Sequence, residues 1–192
     1  MSRTRSSLDA DSVKQIPNLL SLARLAMAPF LFGLLWRHEY GAALALIVVA
    51  GITDGLDGFF ARRFAAGSRL GAYLDPIADK VLLSGTFLTL ALDGGIQKWL
   101  AALVLGRDAG ILLFAGGAFL FTKSLRSFPP SIWGKASTAA QIAFVLALVM
   151  HFAGFRMELV VMPLKWLTVA LTIWSGIDYL VRGVAMGGHE VQ

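Results

Sequence analysis

Six apolar stretches, each close to twenty residues long, occupy most of this 192-residue chain. A helix needs about 20 predominantly apolar residues to cross the hydrocarbon core of a bilayer. Short polar segments or turn signals, such as Asp93-Gly94-Gly95, separate the stretches. We therefore predict an all-α integral membrane protein with six transmembrane helices. The predicted helices cover about 17–36, 41–62, 74–92, 99–121, 134–152 and 159–181.

The composition agrees with this fold class and excludes others. The chain is 57% hydrophobic and 15% charged, whereas soluble domains are nearer ~45–50% apolar and ~25% charged. Disordered chains are polar and rich in charge, so disorder is excluded. The absence of cysteine excludes a disulfide framework, a structural zinc site and thiol catalysis.

The polar ends of the chain define the predicted domain organisation. Residues 1–15 lack the apolar core and the small-residue cleavage site of a secretory signal, so we interpret them as a retained cytoplasmic arm. Residues 16–185 are predicted to form one six-helix domain. Residues 186–192 are predicted to form a short C-terminal tail.

The distribution of lysine and arginine predicts the orientation. The N-terminal arm, the second–third and fourth–fifth connections and the C-terminus carry ten of these cations, and the other connections carry three. Cytoplasmic segments are the cation-rich ones, so both termini are predicted to lie in the cytoplasm. Anionic lipid headgroups account for the net charge of +5, and we predict membrane-lipid contacts and no nucleic-acid partner.

Four aspartates stand out because they lie at the predicted cytoplasmic ends of the second and third helices. An aspartate near mid-membrane costs roughly 2.5–3.5 kcal/mol on insertion scales. Residues three or four apart share a helix face, so each pair projects from one face and two antiparallel helices would let the faces converge. The aspartates are Asp54 and Asp57 on one helix and Asp75 and Asp79 on the next.

Carboxylate oxygens without histidine or cysteine nearby are ligands that Mg²⁺ or Mn²⁺ prefers. Four negative charges suit two such ions better than one, and two ions can clamp the attacking and leaving oxygens of a phosphoryl displacement. The alternative interpretation is salt bridging to local cations, which would not require the two pairs to converge. Those cations are Arg62, Arg63, Arg69 and Lys80.

The segment DGLDGFFARRFAAGSRLGAYLDPIAD fills every position of the pattern Asp-x2-Asp-Gly-x2-Ala-Arg-x8-Gly-x3-Asp-x3-Asp. It resembles the signature of the CDP-alcohol phosphotransferases, integral membrane enzymes of phospholipid synthesis. The resemblance extends from IPNLLSLAR in the predicted first helix to WGKASTAAQ in the fifth. It implies a multi-pass protein of the cell membrane with six transmembrane helices, which forms a homodimer. It also implies an active site that is open to the cytoplasmic face.

The resemblance also implies roles for the motif residues. Asp54, Asp57 and Asp75 would hold two divalent cations, and Asp79 would share in the second site. Asp79 would also be the general base for the acceptor hydroxyl, which attacks the β-phosphate of CDP-diacylglycerol and releases CMP. The nucleotide pocket would be lined by Gly58, Ala61, Arg62 and Gly71. Small residues let a base and a diphosphate approach the backbone, and arginine offers a fork of donors to phosphate.

Three further cations, Arg24, Arg107 and Lys135, lie within or at the start of predicted helices and have no evident acidic partner. We predict that they bind the phosphate of an anionic acceptor or of the phosphatidyl group; snorkelling to the headgroups is the alternative for Arg24. Asp108 follows Arg107, but adjacent helix residues point apart, so we expect no pair between them. We expect Asp178 to pair with an arginine from a loop.

The motifs are similar to those of two groups within the family, which differ in the acceptor. One group joins glycerol 3-phosphate to CDP-diacylglycerol; the other, the single-motif cardiolipin synthases, uses phosphatidylglycerol. Asp108 stands where the first group usually has glutamate, and Phe114 where it has a second arginine, which leaves the lipid acceptor as the alternative to our first choice, glycerol 3-phosphate.

A hypothesis of a different class is a cation transporter or channel, since carboxylates inside a membrane often mark ion paths. Two features of the sequence argue against it. The predicted intramembrane acids cluster at one face, and the chain has no repeated pair of broken helices, the feature that marks many transporter binding sites.

Overall fold

The computed structural model is helical throughout its described elements and has no strand among the residues it describes. Helix α1 is described over Leu22–Trp36, followed by α2 (Tyr40–Phe64), α3 (Gly71–Leu92), α4 (Lys98–Thr122), α5 (Ile132–Phe152) and α6 (Glu158–Gly187). The structure describes residues 22–64, 71–122 and 131–187, and the side chains of these except at 54, 56–64, 71–77, 114–122 and 183–187.

The six predicted helices are present, with shifted ends. Helix α3 begins at Gly71 rather than at residue 74, and α6 continues to Gly187 rather than ending at 181. The turn at residues 93–95 is confirmed. The predicted N-terminal arm, the loop at 123–130 and the last five residues lie outside the described part of the chain.

Tight turns with one left-handed residue each join three consecutive helix pairs. His38 (φ 58°) lies between α1 and α2, Gly94 (φ 87°) between α3 and α4, and Gly154 (φ 95°) between α5 and α6. Glycine adopts this conformation without a Cβ clash, whereas His38 is a non-glycine residue there. Its Nδ1 lies 2.7 Å from the Tyr40 hydroxyl, a hydrogen bond that closes the turn.

The chain forms two compact units, of which the first ends at Leu90. In this unit α1 buries the stripe Arg24, Ala28, Leu31 and Leu35, whose spacing of three or four residues defines one helix face. Contacts between described side chains join α1 to α3, since Arg24 reaches Asp79 and the ring of Phe32 lies over Gly85. Because both contacts follow the same order along the two helices, α1 and α3 run parallel.

The second unit begins at Ala91 and contains α4, α5 and α6. Helix α6 packs against both of the others. Ser137 and Ala140 of α5 meet Thr172 and Thr168 of α6, and this reversed order makes α5 and α6 antiparallel. Against α4 the order is preserved, because Trp99 packs near Trp166 and Arg107 reaches Ser175. Helices α4 and α6 therefore run parallel.

Helix α6 buries a polar face and exposes an apolar one. It buries Lys165, Thr168, Thr172 and Ser175. Its exposed side chains include many large apolar ones, the reverse of the pattern for a helix in water. These are Leu159, Val160, Met162, Trp166, Leu167, Ile173, Trp174, Ile177, Leu180 and Val181.

The buried polar groups of α6 have partners within the unit. Thr168 Oγ1 donates to the carbonyl oxygen of Ala140 at 3.1 Å. Thr172 Oγ1 lies 3.3 Å from Ser137 Oγ and accepts from Gln141 Nε2 at the same distance. In hydrocarbon such interhelical bonds connect helices that have no hydrophobic force between them. By length and composition, the described segments Ile132–Phe152 and Glu158–Arg182 are long and apolar enough to cross a membrane.

Candidate active site

The four aspartates flank the connection between α2 and α3. Asp54 and Asp57 lie in the last three turns of α2, and Asp75 and Asp79 lie in the first three turns of α3. Both pairs are on helical backbone, so the predicted spacings of three and four place each pair on one helix face. The side chains of Asp54, Asp57 and Asp75 lie outside the described set, so the convergence of the two pairs stays a prediction.

The proposed nucleotide-pocket residues occupy the same two helix ends. Gly58, Ala61 and Arg62 belong to the last turns of α2, and Gly71 is the first residue of α3. Their side-chain environments are also outside the described set. These residues therefore lie at the same two helix ends as the aspartates, and their roles in nucleotide binding stay predictions.

The donor chemistry of this region fits a hard divalent cation. Its potential ligands are carboxylate oxygens, without the nitrogen or sulfur donors that zinc and copper prefer. Among the side chains that the structure describes, no three acidic, histidine or cysteine residues lie close enough together to hold a metal ion. Three of the four aspartates are not among these described side chains. The fit therefore rests on residue type and on helix placement.

Asp79 has a partner that the sequence did not predict. Arg24 Nη1 of α1 donates to Asp79 Oδ1, and the two residues are 55 positions apart in the chain. Arg24 is 2% exposed, while the Asp79 side chain is 50% exposed. The expectation that Arg24 lacks an acidic partner was wrong, because the parallel packing of α1 on α3 brings it to the level of Asp79.

Arg107 of α4 is held by three groups within the second unit. Its Nη1 donates to Asp108 Oδ1 at 2.7 Å, and its Nη2 donates to Ser175 Oγ at 2.5 Å. The guanidinium carbon lies 5.8 Å from the centroid of the Tyr179 ring, within the range of a cation–π interaction. The guanidinium thus bridges α4 and α6.

The expectation that Arg107 and Asp108 point apart was wrong. The Cβ directions of adjacent helix residues do diverge, but the long arginine side chain curls back to its neighbour. Asp108 is 5% exposed, and a buried carboxylate requires a hydrogen-bonded counter-charge. The Arg107–Asp108 pair supplies it.

Gly134 at the start of α5 makes room for this cluster. A Cβ at this position would lie 3.2 Å from both Arg107 Nη2 and Tyr179 Oη, tighter than most side chains tolerate. The following residue, Lys135, is exposed. The two predicted acceptor-binding cations therefore differ in environment, because Arg107 is held in a hydrogen-bonded cluster and Lys135 is exposed.

Sequence reasoning missed Ser175, Tyr179 and Gly134. A signal for the first two was present: polar residues recur along apolar α6 at spacings of four, three and four, a pattern that marks one helix face. The residues of this stripe are Thr168, Thr172, Ser175 and Tyr179. Gly134 gave no such signal, because a glycine in a membrane-type helix is ordinary.

Asp178 pairs with an arginine, but not with one from a loop as expected. Arg182 Nε donates to Asp178 Oδ1 at 3.0 Å from one turn further along α6. The reason is that α6 continues past residue 181. Ser131, the N-cap of α5, donates to the other carboxylate oxygen of Asp178 and accepts from Trp133 N at 3.2 Å, so the start of α5 is fixed to the end of α6.

The fold and the site define a class of helical proteins whose functional groups are carboxylates and arginines on apolar helices. The chain belongs to the CDP-alcohol phosphatidyltransferase family, whose model matches residues 14–174. The resemblance deduced from the motif is thereby confirmed. The family is membrane-associated, and its members generally use divalent metal ions.

Three relatives illustrate the similarity. The chain is 34% identical over 179 residues to the CDP-diacylglycerol–glycerol-3-phosphate 3-phosphatidyltransferase of Aquifex aeolicus, covering 89% of this chain and 97% of that protein. It is 33% identical over 189 residues to the cardiolipin synthase (CMP-forming) of Streptomyces coelicolor, covering 91% and 85%. It is 30% identical over 179 residues to a probable phosphatidylglycerophosphate synthase of Mycobacterium tuberculosis, covering 90% and 83%.

Proposed function

We propose that this chain transfers the phosphatidyl group of CDP-diacylglycerol to glycerol 3-phosphate, with release of CMP. The observation that carries the proposal is the complete eight-position motif on the end of α2 and the start of α3, with the side chain of its last aspartate, Asp79, half exposed. The names of the Aquifex and Mycobacterium relatives support the same acceptor.

The reaction is a displacement at the β-phosphorus. The acceptor hydroxyl oxygen forms a bond to that phosphorus, the bond to the bridging oxygen of CMP breaks, and CMP leaves with the electron pair. Asp79, the last aspartate of the motif, takes the hydroxyl proton. Its half-exposed carboxylate is accessible to a substrate hydroxyl. Nucleotide contacts are assigned to Gly58, Ala61, Arg62 and Gly71.

Two Mg²⁺ or Mn²⁺ ions are proposed as cofactors. The carboxylates that would hold them are Asp54, Asp57, Asp75 and Asp79. Such ions, when bound, would polarise the phosphoryl oxygens and offset negative charge at the displacement. The oxygen-only donor set supports this assignment.

We further propose that the six helices cross the cell membrane, with both termini and the aspartates at the cytoplasmic face, and that the chain works as a homodimer. The inverted polarity of α6 supports membrane insertion, because its apolar exposed face suits lipid better than water. The excess of lysine and arginine on one set of connections supports the orientation.

Arg107 and Lys135 are the proposed ligands of the acceptor phosphate. Arg107 presents a planar fork that suits phosphate oxygens, and Lys135 is exposed. Arg24 was predicted for the same task, but its contact with Asp79 favours a role that is exerted through that carboxylate.

One observation favours phosphatidylglycerol as a second candidate acceptor. Asp108 lies 2.7 Å from the Arg107 guanidinium, so the pair carries no net charge. A phosphate monoester such as glycerol 3-phosphate approaches two negative charges at neutral pH, whereas the diester of phosphatidylglycerol carries one. A neutral pair discriminates less in favour of the dianion than an arginine without a carboxylate beside it. The Streptomyces relative is a cardiolipin synthase.

The test is CMP release by the purified protein in mixed micelles with CDP-diacylglycerol and Mg²⁺. Glycerol 3-phosphate and phosphatidylglycerol are supplied in parallel reactions, and the lipid products are separated by chromatography. We expect Mg²⁺-dependent CMP release and phosphatidylglycerophosphate with the first acceptor. Faster turnover to cardiolipin would favour the second candidate, and no CMP with either acceptor would contradict both.

A further inference from the structure

Arg24 and Asp79 form an ion pair whose two members differ sharply in exposure. The guanidinium lies on the buried face of α1 together with Ala28 and Leu31, and the carboxylate that it binds is half exposed. A guanidinium that is removed from solvent requires a hydrogen-bonded counter-charge. The position of the Asp79 carboxylate is therefore linked to a group that the core of the first unit holds in place.

The difference in exposure between Arg24 and Asp79 lets the contact restrict the rotamer of Asp79 without removing its carboxylate from solvent. An exposed aspartate ordinarily samples several rotamers. Here Oδ1 accepts from Arg24 Nη1, and this contact selects one orientation while half of the side chain stays accessible. A pair with both members buried would hide the carboxylate, and a pair with both exposed would hold it weakly.

A second contact fixes the register that brings the two residues together. The Phe32 ring covers Gly85, where a Cβ would lie 2.1 Å from Phe32 Cζ. Phe32 lies eight residues after Arg24, or about 12 Å along α1, and Gly85 lies six residues after Asp79, or about 9 Å along α3. The long arginine side chain accommodates the difference of about 3 Å. The Phe32–Gly85 contact thus helps to define the axial alignment of α1 against α3.

We propose that Arg24 is a positioning residue, which holds the Asp79 carboxylate in the orientation that meets the acceptor hydroxyl. The inference rests on the proposed function, in which Asp79 takes the hydroxyl proton. Arginine suits the task because its guanidinium presents donors in a rigid, planar arrangement, whereas the lysine ammonium is a mobile point charge. Arg24 acts through Asp79 and is assigned no contact with the substrate.

The experiment compares Arg24→Gln and Arg24→Lys with Arg37→Gln, a control at the exposed end of the turn after α1. Each purified protein is measured for kcat and KM in the CMP-release assay, for Mg²⁺-dependent binding of CDP by calorimetry, and for Tm. We expect kcat of Arg24→Gln to fall about 10²-fold, the scale of a small misplacement of a catalytic group. Arg24→Lys should recover about a tenth of the wild-type rate, because it keeps the charge without the fork.

The readouts separate positioning from a merely structural role. Positioning predicts that KM for CDP-diacylglycerol and CDP binding stay within about twofold of wild type, since the nucleotide contacts and three of the four metal-binding carboxylates are assigned to residues other than Asp79. Parallel losses of kcat, CDP binding and Tm in both Arg24 variants would overturn the proposal. Where Arg24→Gln does not fold, Arg24→Lys decides by the same criteria.

A double-mutant cycle with Asp79→Asn tests whether Arg24 acts through Asp79. We expect the kcat of the double variant to equal that of Asp79→Asn, because a positioning residue has no effect once its partner cannot take a proton. A further loss that equals the effect of Arg24→Gln alone would overturn the proposal. Wild-type protein without CMP release would defeat the proposed function and this inference together, whereas an active wild type with an equally active Arg24→Gln would defeat only the inference.

Discussion

Two arginines on apolar helices, Arg24 and Arg107, differ in the exposure of the carboxylate that each one binds. Each binds an aspartate, and each was expected to have none. The partner of Arg24 is 55 residues away and half exposed, whereas the partner of Arg107 is the next residue and is 5% exposed. The first pair presents a carboxylate to the outside of its unit, and the second keeps its carboxylate within.

This difference shows that an arginine in an apolar helix does not by itself predict anion binding. What matters is where the counter-charge lies. With a half-exposed partner, the arginine can organise a reactive carboxylate. With a buried partner, part of its charge is already balanced, and the guanidinium also serves to join two helices, as Arg107 does through Ser175.

The largest expected effect is that of Asp79→Asn. The substitution removes the proposed proton acceptor, so kcat in the CMP-release assay should fall about 10³-fold. CDP binding, measured by calorimetry, should largely persist, because the nucleotide contacts are assigned elsewhere. Wild-type turnover in this variant would remove Asp79 from the role of base and end the functional contrast between the two pairs.

Asp108→Asn tests the buried pair. It leaves the Arg107 charge without its carboxylate, and removing one member of a buried pair should lower the free energy of unfolding by about 3 kcal/mol, measured by chemical denaturation in detergent. The rate ratio of glycerol 3-phosphate to phosphatidylglycerol should rise in the folded fraction. Glu39→Gln, at an exposed acid, is the control, and an unchanged stability and ratio would show that Asp108 does not balance Arg107.

Gly85→Ala tests the register of α1 on α3. The new Cβ would overlap the Phe32 ring, so the ring or α1 must shift, and we expect a loss of about 2 kcal/mol in unfolding free energy together with a lower kcat. Gly110→Ala is the matched control, since a Cβ there meets nothing within 4 Å. Adding Phe32→Leu to Gly85→Ala should restore part of both losses, and no restoration would count against the register argument.

The smallest expected effect is that of Thr172→Val, which removes a hydroxyl between α5 and α6 that Gln141 and Ser137 contact. Interhelical hydrogen bonds of this kind contribute about 0.6 kcal/mol on average. Tm should fall slightly, and kcat should not change. A large loss of activity would show that this polar seam takes part in catalysis as well as in packing.

The sequence predicted the features that depend on local pattern. Six apolar stretches gave six helices, the turn at Gly94 followed from its residue types, and the motif spacing identified the family. It did not predict that Arg24 meets Asp79, because the contact depends on how α1 is aligned with α3. Nor did it predict the Arg107–Asp108 pair, since Cβ directions alone do not describe where a long side chain ends.

The polar face of α6 has a consequence for how the protein would enter a bilayer. Alone, the helix would carry Thr168, Thr172 and Lys165 into hydrocarbon without the partners that α5 and α4 supply. Paired with α5 through the short turn at Gly154, the hydroxyl groups are already satisfied. The α5–α6 hairpin is therefore suited to insert as one unit, so a chain cut in this turn should integrate less efficiently than the intact hairpin.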